Sequence, residues 1–340
     1  MKTHSFRELR IISAIILSAF IWGYVTYSQA TPTNTSTAIS AKITDASQIV
    51  SIAATNALSF ATIRQIHFDQ QMLFSTVRIQ GSYTNSATTV SGTAFVYRYD
   101  LGTNQVAMFL VTNKHVVKGV DRAKLTFVKN TGGKPDFDTH ESVSLRGLSG
   151  CFFGHPDQSV DIAIMPLWPL LTQIKQLTGF YVRPLGKEFE MTAAYAEHMR
   201  ANEQVAFFGY PLGVFDTKHN LPLVRRGYTA SPVGIDFEGQ KVFLIDAAVF
   251  PGSSGSPVMI ETHIDESGTT NPTEIRWRFV GVITAALEIT DEGRVLSREV
   301  PTALEQYVTI KRPMNLGVVT KAERVTETIE AFLRKFGLKK

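Results

Sequence analysis

The stretch Val249–Val258 reads VFPGSSGSPV. Ser253, Ser254 and Ser256 fall within four positions, bracketed by Pro251-Gly252 and Ser256-Pro257. Gly, Ser and Pro at this density commonly build surface loops, because each pre-sets or satisfies a turn backbone. They also build the tight turn that presents a serine as a nucleophile. A serine hydroxyl is protonated at neutral pH, so it needs a base within reach and a third group that orients the base. It also needs donors for the oxyanion formed on attack. Backbone N–H groups in a glycine-containing turn supply these without moving parts. The rest of the chain decides between loop and nucleophile.

A candidate base stands in FLVTNKHVV, residues 109–117, where His115 follows an apolar strand just as that strand ends. A candidate carboxylate stands in VDIAIMPL, where Asp161 opens an otherwise apolar run. Burying an unpaired carboxylate is costly, and pairing with His115 Nδ1–H removes that cost. Each fragment alone has a plainer reading: a strand-end histidine, a turn aspartate, a Ser/Gly loop. His67, His140, His155, His198, His219 and His263 lie in less suggestive contexts, and neither an HExxH run nor paired Cys/His spacing occurs. No metal and no cofactor is therefore expected.

The surrounding pattern is β-rich. LFSTVRIQG (73–81), GTAFVYRY (92–99), QVAMFLVT (105–112), RAKLTFVK (122–129), SVDIAIMPL (159–167), EQVAFFGYP (203–211), KVFLIDAAV (241–249) and RWRFVGVITA (276–285) are short and rich in Val, Ile, Phe and Thr. Gly81, Gly102, Asn104, Gly132, Gly133 and Gly239 punctuate them. Such spacing predicts a sandwich or barrel. Helix is expected at 187–202 and at the C-terminus. There Thr320-Lys321-Ala322-Glu323 has the form of a capping box. Ile329, Phe332, Leu333 and Phe336 follow at helical spacing, and Gly337 is a good stop. A short helix is also expected within Asp45–Ile66.

Composition bounds the function. Of 340 residues 44% are hydrophobic and 19% charged, a globular balance. The net charge of +4 is spread along the chain with no Lys/Arg block, so no nucleic-acid partner is expected. The single cysteine, Cys151, forbids an intrachain disulfide and reads as a buried apolar thiol. The first thirty residues stand apart. Lys2, Arg7 and Arg10 precede an uncharged run from Ile11 to Tyr27, and no further Lys or Arg occurs before Lys42. This asymmetry places the N-terminus in the cytoplasm and exports the rest. Residues 1–30 are expected to be a signal peptide, cut after Ala30, or a signal anchor spanning 11–27. Either predicts an extracytoplasmic protein, and the anchor adds the membrane as a partner.

Together the three fragments resemble the trypsin/chymotrypsin-like serine proteases. They stand in that family's chain order His, Asp, Ser. TNKHVV is similar to its T-A/N-x-H-x-V box, VDIAIM to D-I-A-L, and GSSGSP to G-x-S-G-x-P. IDAAVFPGSSGSPV and FFGYPLG resemble most the bacterial HtrA/Deg-like branch. The likeness runs from about Phe74 to Tyr307, and the separations (161 − 115 = 46; 254 − 161 = 93) suit two barrels with a site between them.

The resemblance implies two six-stranded antiparallel β-barrels, so that with the C-terminal helix and the N-terminal membrane-targeting helix read from the residues the expected fold is mainly β. The implied divisions are 1–30 for targeting, 31–65 for a linker and possible short helix, 66–312 for the protease domain, and 313–340 for the helix packed on it. It implies Ser254 as nucleophile, His115 as general base and acid, and Asp161 as the group orienting His115. The N–H groups of Gly252 and Ser254 become the oxyanion hole. Ala248 and Val249, with Thr284, Ala285 and Ala286 of the GVITAA strand, become the pocket for the residue before the scissile bond. An Ala at 248, where a trypsin-like pocket carries Asp, implies small to medium apolar residues there; nearby Asp246 reads as structural. Protein or peptide substrates follow. Two positions depart from the pattern. Ser253 stands where digestive enzymes carry an aspartate used in zymogen activation, and Ser256 replaces a glycine. Only about 30 residues follow Tyr307, too few for the PDZ domain of HtrA proteins. A peptide-binding protein of this fold that does not cut is the alternative function. An α/β-hydrolase is argued against by chain order, since no suitable histidine follows Ser254.

Overall fold

The computed structural model describes residues 25–28, 39–40, 68–84, 89–102, 105–167, 179–265, 267–271, 273, 275–295 and 306–338. Two β-units carry the fold. The first is a ten-stranded sheet in the order β2-β1-β7-β6-β3-β4-β5-β9-β8, with β10 paired to β4. Its strands are β1 (Val25–Ser28), β2 (Ile39–Ser40), β3 (Thr76–Tyr83), β4 (Thr89–Gly102), β5 (Gln105–Thr112), β6 (Val120–Thr131), β7 (Lys134–Arg146), β8 (Phe153–Gly154), β9 (Ala163–Pro166) and β10 (Leu185–Gly186). The second is a closed barrel of β11 (Gln204–Gly209), β12 (Leu223–Thr229), β13 (Val242–Asp246), β16 (Gln306–Lys321), β15 (Arg276–Val295) and β14 (Pro257–Thr262). Helices are short: α1 (Phe68–Ser75), α2 (Lys114–Val117), α3 (Leu148–Cys151) and α4 (Ala193–Glu197), with one longer C-terminal α5 (Glu323–Lys335).

Period-2 alternation drives both units. On β3, Val77 and Ile79 enter the core while Arg78 and Gln80 face out. In the barrel, Val205, Phe207, Phe243, Ile245, Val258 and Ile260 fill the interior. A third cluster fills the junction. Phe95, Tyr97 and Phe109 from the sheet meet Phe208, Met259 and Phe279 from the barrel, and α5 closes it with Val325, Ile329, Phe332 and Leu333. Each of these side chains contributes about 1.5–3 kcal/mol by leaving water. Phe332 packs edge-on against Phe109 and Phe153, with ring centroids 5.8 and 5.6 Å away.

Three expectations change. The first unit is an open sheet rather than a second closed barrel. The outer edge of β7 at Ser142–Leu145 is taken by β1, which leaves it no partner at β8 with which to close. The N-terminal membrane helix is not found. Residues 1–24 lie outside the described residues, and Val25–Tyr27, at the end of the expected span, is strand. Val, Thr and Tyr favour strands, and these three are paired with β7. Among the described residues no helix is long and apolar enough to cross a membrane. The expected helix within 45–66 lies outside the described residues.

The third change is the capping box. Thr320 is not the N-cap of α5; Ala322 is, without a side-chain cap. Strand β16 runs through Lys321, and the Thr320 hydroxyl instead meets that of Thr284 at 2.6 Å. The expected stop does form: Gly337 takes φ +67°, its N–H reaches Arg334 O, and Leu338 N–H reaches Leu333 O at 2.8 Å, a Schellman turn.

Candidate active site

Strand β5 ends at Thr112, and the chain turns through Asn113 into the single turn α2, which carries His115. Strand β9 pairs antiparallel with β5, Thr112 opposite Ala163. That register sets Asp161, two residues upstream of Ala163, beside α2. Asp161 accepts twice from His115: Oδ1 from the backbone N–H at 3.1 Å, and Oδ2 lies 2.5 Å from Nδ1. Asn113 Nδ2 donates to the Asp161 carbonyl at 2.7 Å, so the carboxylate is held through its backbone as well. Asn113 is buried, the Asp161 side chain is 24% exposed and that of His115 49%. A carboxylate on Nδ1–H fixes the neutral imidazole with Nε2 as acceptor. Among the described residues Nε2 has no partner, and no hydrogen bond joins it to Ser254 Oγ. Such contacts are often long without substrate and tighten on binding.

The serine turn is built on glycines. Gly252 and Gly255 hold φ +92° and +87°, conformations that L side chains adopt at a cost. A Cβ at Gly255 would strike the Thr93 carbonyl oxygen and sit 2.6 Å from Thr112 Oγ1; one at Gly252 would sit 2.5 Å from Tyr210 O. Thr93, in β4, ties the turn to the first sheet. Its N–H donates to Ser254 O at 2.9 Å and its Oγ1 donates to Gly252 O at 2.8 Å and accepts from Tyr210 N–H at 3.1 Å. Thr112 Oγ1 donates in turn to Thr93 O at 2.7 Å. Through Thr93 the serine turn is thus linked to the strand that delivers His115.

Three serines compete in the turn, and burial separates them. Ser253 and Ser256 are 1% and 0% exposed, whereas Ser254 is only partly buried. Pro251 O accepts from Leu212 N–H at 2.6 Å. Because C=O and N–H of a trans peptide point oppositely, the N–H of Gly252 is turned away from Leu212. The described hydrogen bonds assign no acceptor to the N–H of Gly252 or of Ser254.

The other expected residues lie nearby but differ among themselves. Ala248 is partly exposed just after β13, whereas Val249 is 6% exposed in the barrel core, against the space a side chain at Gly317 would take. Thr284 and Ala286 are partly buried and Ala285 is exposed, on a stretch of β15 with two register irregularities. Asp246 is exposed at the end of β13. Sequence reasoning passed over Thr93, Thr112 and Asn113. The last two sit directly before Lys114-His115, but Thr93 lies 161 residues from Ser254 (254 − 93 = 161), and only folding pairs them. Cys151 is partly rather than fully buried, its Sγ 3.7 Å from Gly147 O, and burial pushes the thiol up to about 11.

The family model of the trypsin-like peptidase domain matches residues 92–263. The chain belongs to this family, and its fold is of the serine-protease type. Among solved structures it is similar to the Rv3671c protease of M. tuberculosis in its active form, at 19% identity and TM-score 0.39, covering 80% of this chain and 85% of that one. It is similar to the serine endoprotease of Yersinia pestis at 13% identity and TM-score 0.39, covering 78% of this chain and 65% of that one. It is also similar to the inactivated scabies mite protease paralogue S-I1 at 14% identity and TM-score 0.38, covering 78% and 98%. No curated protein matches the chain.

Proposed function

We propose that this protein is a serine endopeptidase that cuts peptide bonds through an acyl-enzyme. The observation carrying the proposal is the double contact of Asp161 with His115, through N–H at 3.1 Å and Nδ1 at 2.5 Å, which leaves Nε2 as an acceptor. In this reading Ser254 Oγ attacks the carbonyl carbon of the scissile bond as Nε2 takes its proton. The oxyanion forms against the N–H groups of Gly252 and Ser254. The imidazolium, stabilised by Asp161, then protonates the leaving amine, and water repeats the cycle to release the acid. Ala248 and Thr284–Ala286 receive the residue before the scissile bond, and no carboxylate at 248 favours Arg or Lys, so small to medium apolar side chains fit. The charge asymmetry of residues 1–42 supports a protease body outside the cytoplasm.

The test is fluorophosphonate labelling and unfolded-casein cleavage by the wild type and by Ser254→Ala. Both activities in the wild type and neither in the variant are expected. Well-folded wild type that takes no label and cuts nothing would favour a peptide-binding protein that does not cut, a reading the missing His115–Ser254 hydrogen bond also suits.

A further inference from the structure

A cavity of about 630 Å³ lies on the outer face of the open sheet, with Leu212 and Gly213 at its rim. Four cations line it: Arg78 on β3, Arg122 and Lys124 on β6, and Arg146 on β7. The register explains the convergence. Strand order β7-β6-β3 puts Arg146 directly opposite Arg122, and Lys124 opposite Gln80, two residues from Arg78. Alternation sends all four side chains away from the core, where Val77, Ile79, Ala123, Leu125 and Leu145 point instead.

The charge is little compensated. Among the described residues only Arg122 has an acidic partner, Asp121 at 3.6 Å. Arg78 is held over the Phe215 ring at 4.0 Å. Like charges directly opposite on neighbouring strands destabilise a sheet. An anionic ligand in the cavity relieves the Arg122–Arg146 opposition.

The cavity adjoins the serine turn. Leu212, on its rim, donates its N–H to Pro251 O, one residue before Gly252. Ser91, also on the rim, is two residues from Thr93, which bonds Ser254 and Gly252. The residues assigned to the pocket before the scissile bond, Ala248 and Thr284–Ala286, all belong to the closed barrel. A substrate lying on that side runs its other end toward the open sheet.

We propose that this cavity binds acidic side chains of the substrate segment that follows the scissile bond, making the enzyme selective for sites with Asp or Glu downstream. The proposal rests on the endopeptidase reading for its direction and on the charged cavity for its chemistry. A protein ligand is favoured over nucleic acid because the four cations form a compact group beside a peptidase nucleophile rather than a long basic stripe.

The experiment uses the full chain. A site the enzyme cuts in casein is placed in quenched peptides that differ only in the residues after the scissile bond: Glu-rich, Gln-rich or Lys-rich. Exposed charge pairs contribute two- to five-fold each, so about tenfold higher kcat/KM for the Glu series than the Lys series is expected, fading with added salt. The double variant Arg122→Glu/Lys124→Glu is expected to remove or invert that preference while cutting the Gln series as the wild type does. Equal cleavage of Glu and Lys series by the wild type overturns the proposal, as does a preference unchanged in the double variant. Binding is read separately by anisotropy of a labelled Glu-rich peptide on Ser254→Ala with and without the charge reversal. Reversal-sensitive binding in a protein that cuts nothing retains the acidic-peptide site and removes the peptidase reading. No binding of the peptide, with a duplex oligonucleotide bound instead, replaces the acidic peptide with nucleic acid.

Discussion

The backbone N–H of Thr93 donates to the carbonyl of Ser254 at 2.9 Å, joining strand β4 of the open sheet to the serine turn of the barrel. The same threonine bonds Gly252 O and Tyr210 N–H through Oγ1. One fully buried side chain therefore sets the turn against the sheet that carries His115 and Asp161.

Thr93→Val keeps the shape and strands the Gly252 carbonyl and the Tyr210 N–H. Leaving a buried polar group unpaired costs about 1–3 kcal/mol. Urea unfolding should show a loss of that size, and fluorophosphonate labelling should slow by at least about tenfold as the turn loosens. Labelling at the wild-type rate would show that the turn holds itself.

Gly255→Ala should be worse. At φ +87° the new Cβ meets the Thr93 carbonyl, a backbone atom that cannot swing aside. A stability loss of at least about 2 kcal/mol is expected. Gly239→Ala, at φ +71° but with open space around it, should show only the left-handed cost, about 1–2 kcal/mol. Thermal unfolding of both variants separates clash from conformation.

Asp161→Asn should keep the fold and lose the chemistry. Asn cannot stabilise the imidazolium and favours the wrong tautomer of His115, so kcat should fall on the order of 10⁴-fold. The circular dichroism spectrum should not change. A loss of kcat under tenfold would remove Asp161 from the site.

Glu190 gives a pH signature away from the site. Burial raises its carboxyl above the usual range, more than the hydrogen bonds from Thr326 at 2.6 Å and Tyr97 at 3.1 Å lower it. A raised folded value means the native state holds the proton more tightly than the unfolded chain, so stability is full at low pH and is lost as pH rises through the folded value. Gln keeps an acceptor oxygen for both donors and does not ionise. Glu190→Gln should match the wild type in acid and become the more stable protein as pH rises beyond the ordinary glutamate range, read from unfolding midpoints across pH.

Cys151, pushed up to about 11 by burial, should resist alkylation. A free thiol titrates near 8.5, so at pH 8 the native protein holds roughly 100-fold less thiolate. Iodoacetamide should react at least about 100-fold faster once urea unfolds the chain, as read by mass spectrometry.

Much of this was legible in the chain, for local reasons. Strand β5 occupies the very residues of QVAMFLVT, because an unbroken β-branched and aromatic run bounded by turns has few alternatives. The Gly337 stop needs only its own backbone. Strand β7, KPDFDTHESVSLR, has no legible apolar alternation because its polar first half is exposed and only Glu141–Leu145 approaches the core. The capping box does not form because Thr320 belongs to β16, paired with Val242, and its hydroxyl meets that of Thr284.

The residue types and order of His115, Asp161 and Ser254, and the glycines that shape the serine turn, were set by the sequence, since each depends on local chemistry and a few neighbours. The open first sheet, the burial that sets Ser253 and Ser256 apart from Ser254, the Thr93 tie and the basic cavity were decided only in three dimensions. Arg78, Arg122, Lys124 and Arg146 lie scattered along 69 residues (Arg78 to Arg146, inclusive), so the chain reads as mildly and evenly charged. Strand register makes them neighbours, because pairing brings distant positions a few ångströms apart and alternation sends them to one face.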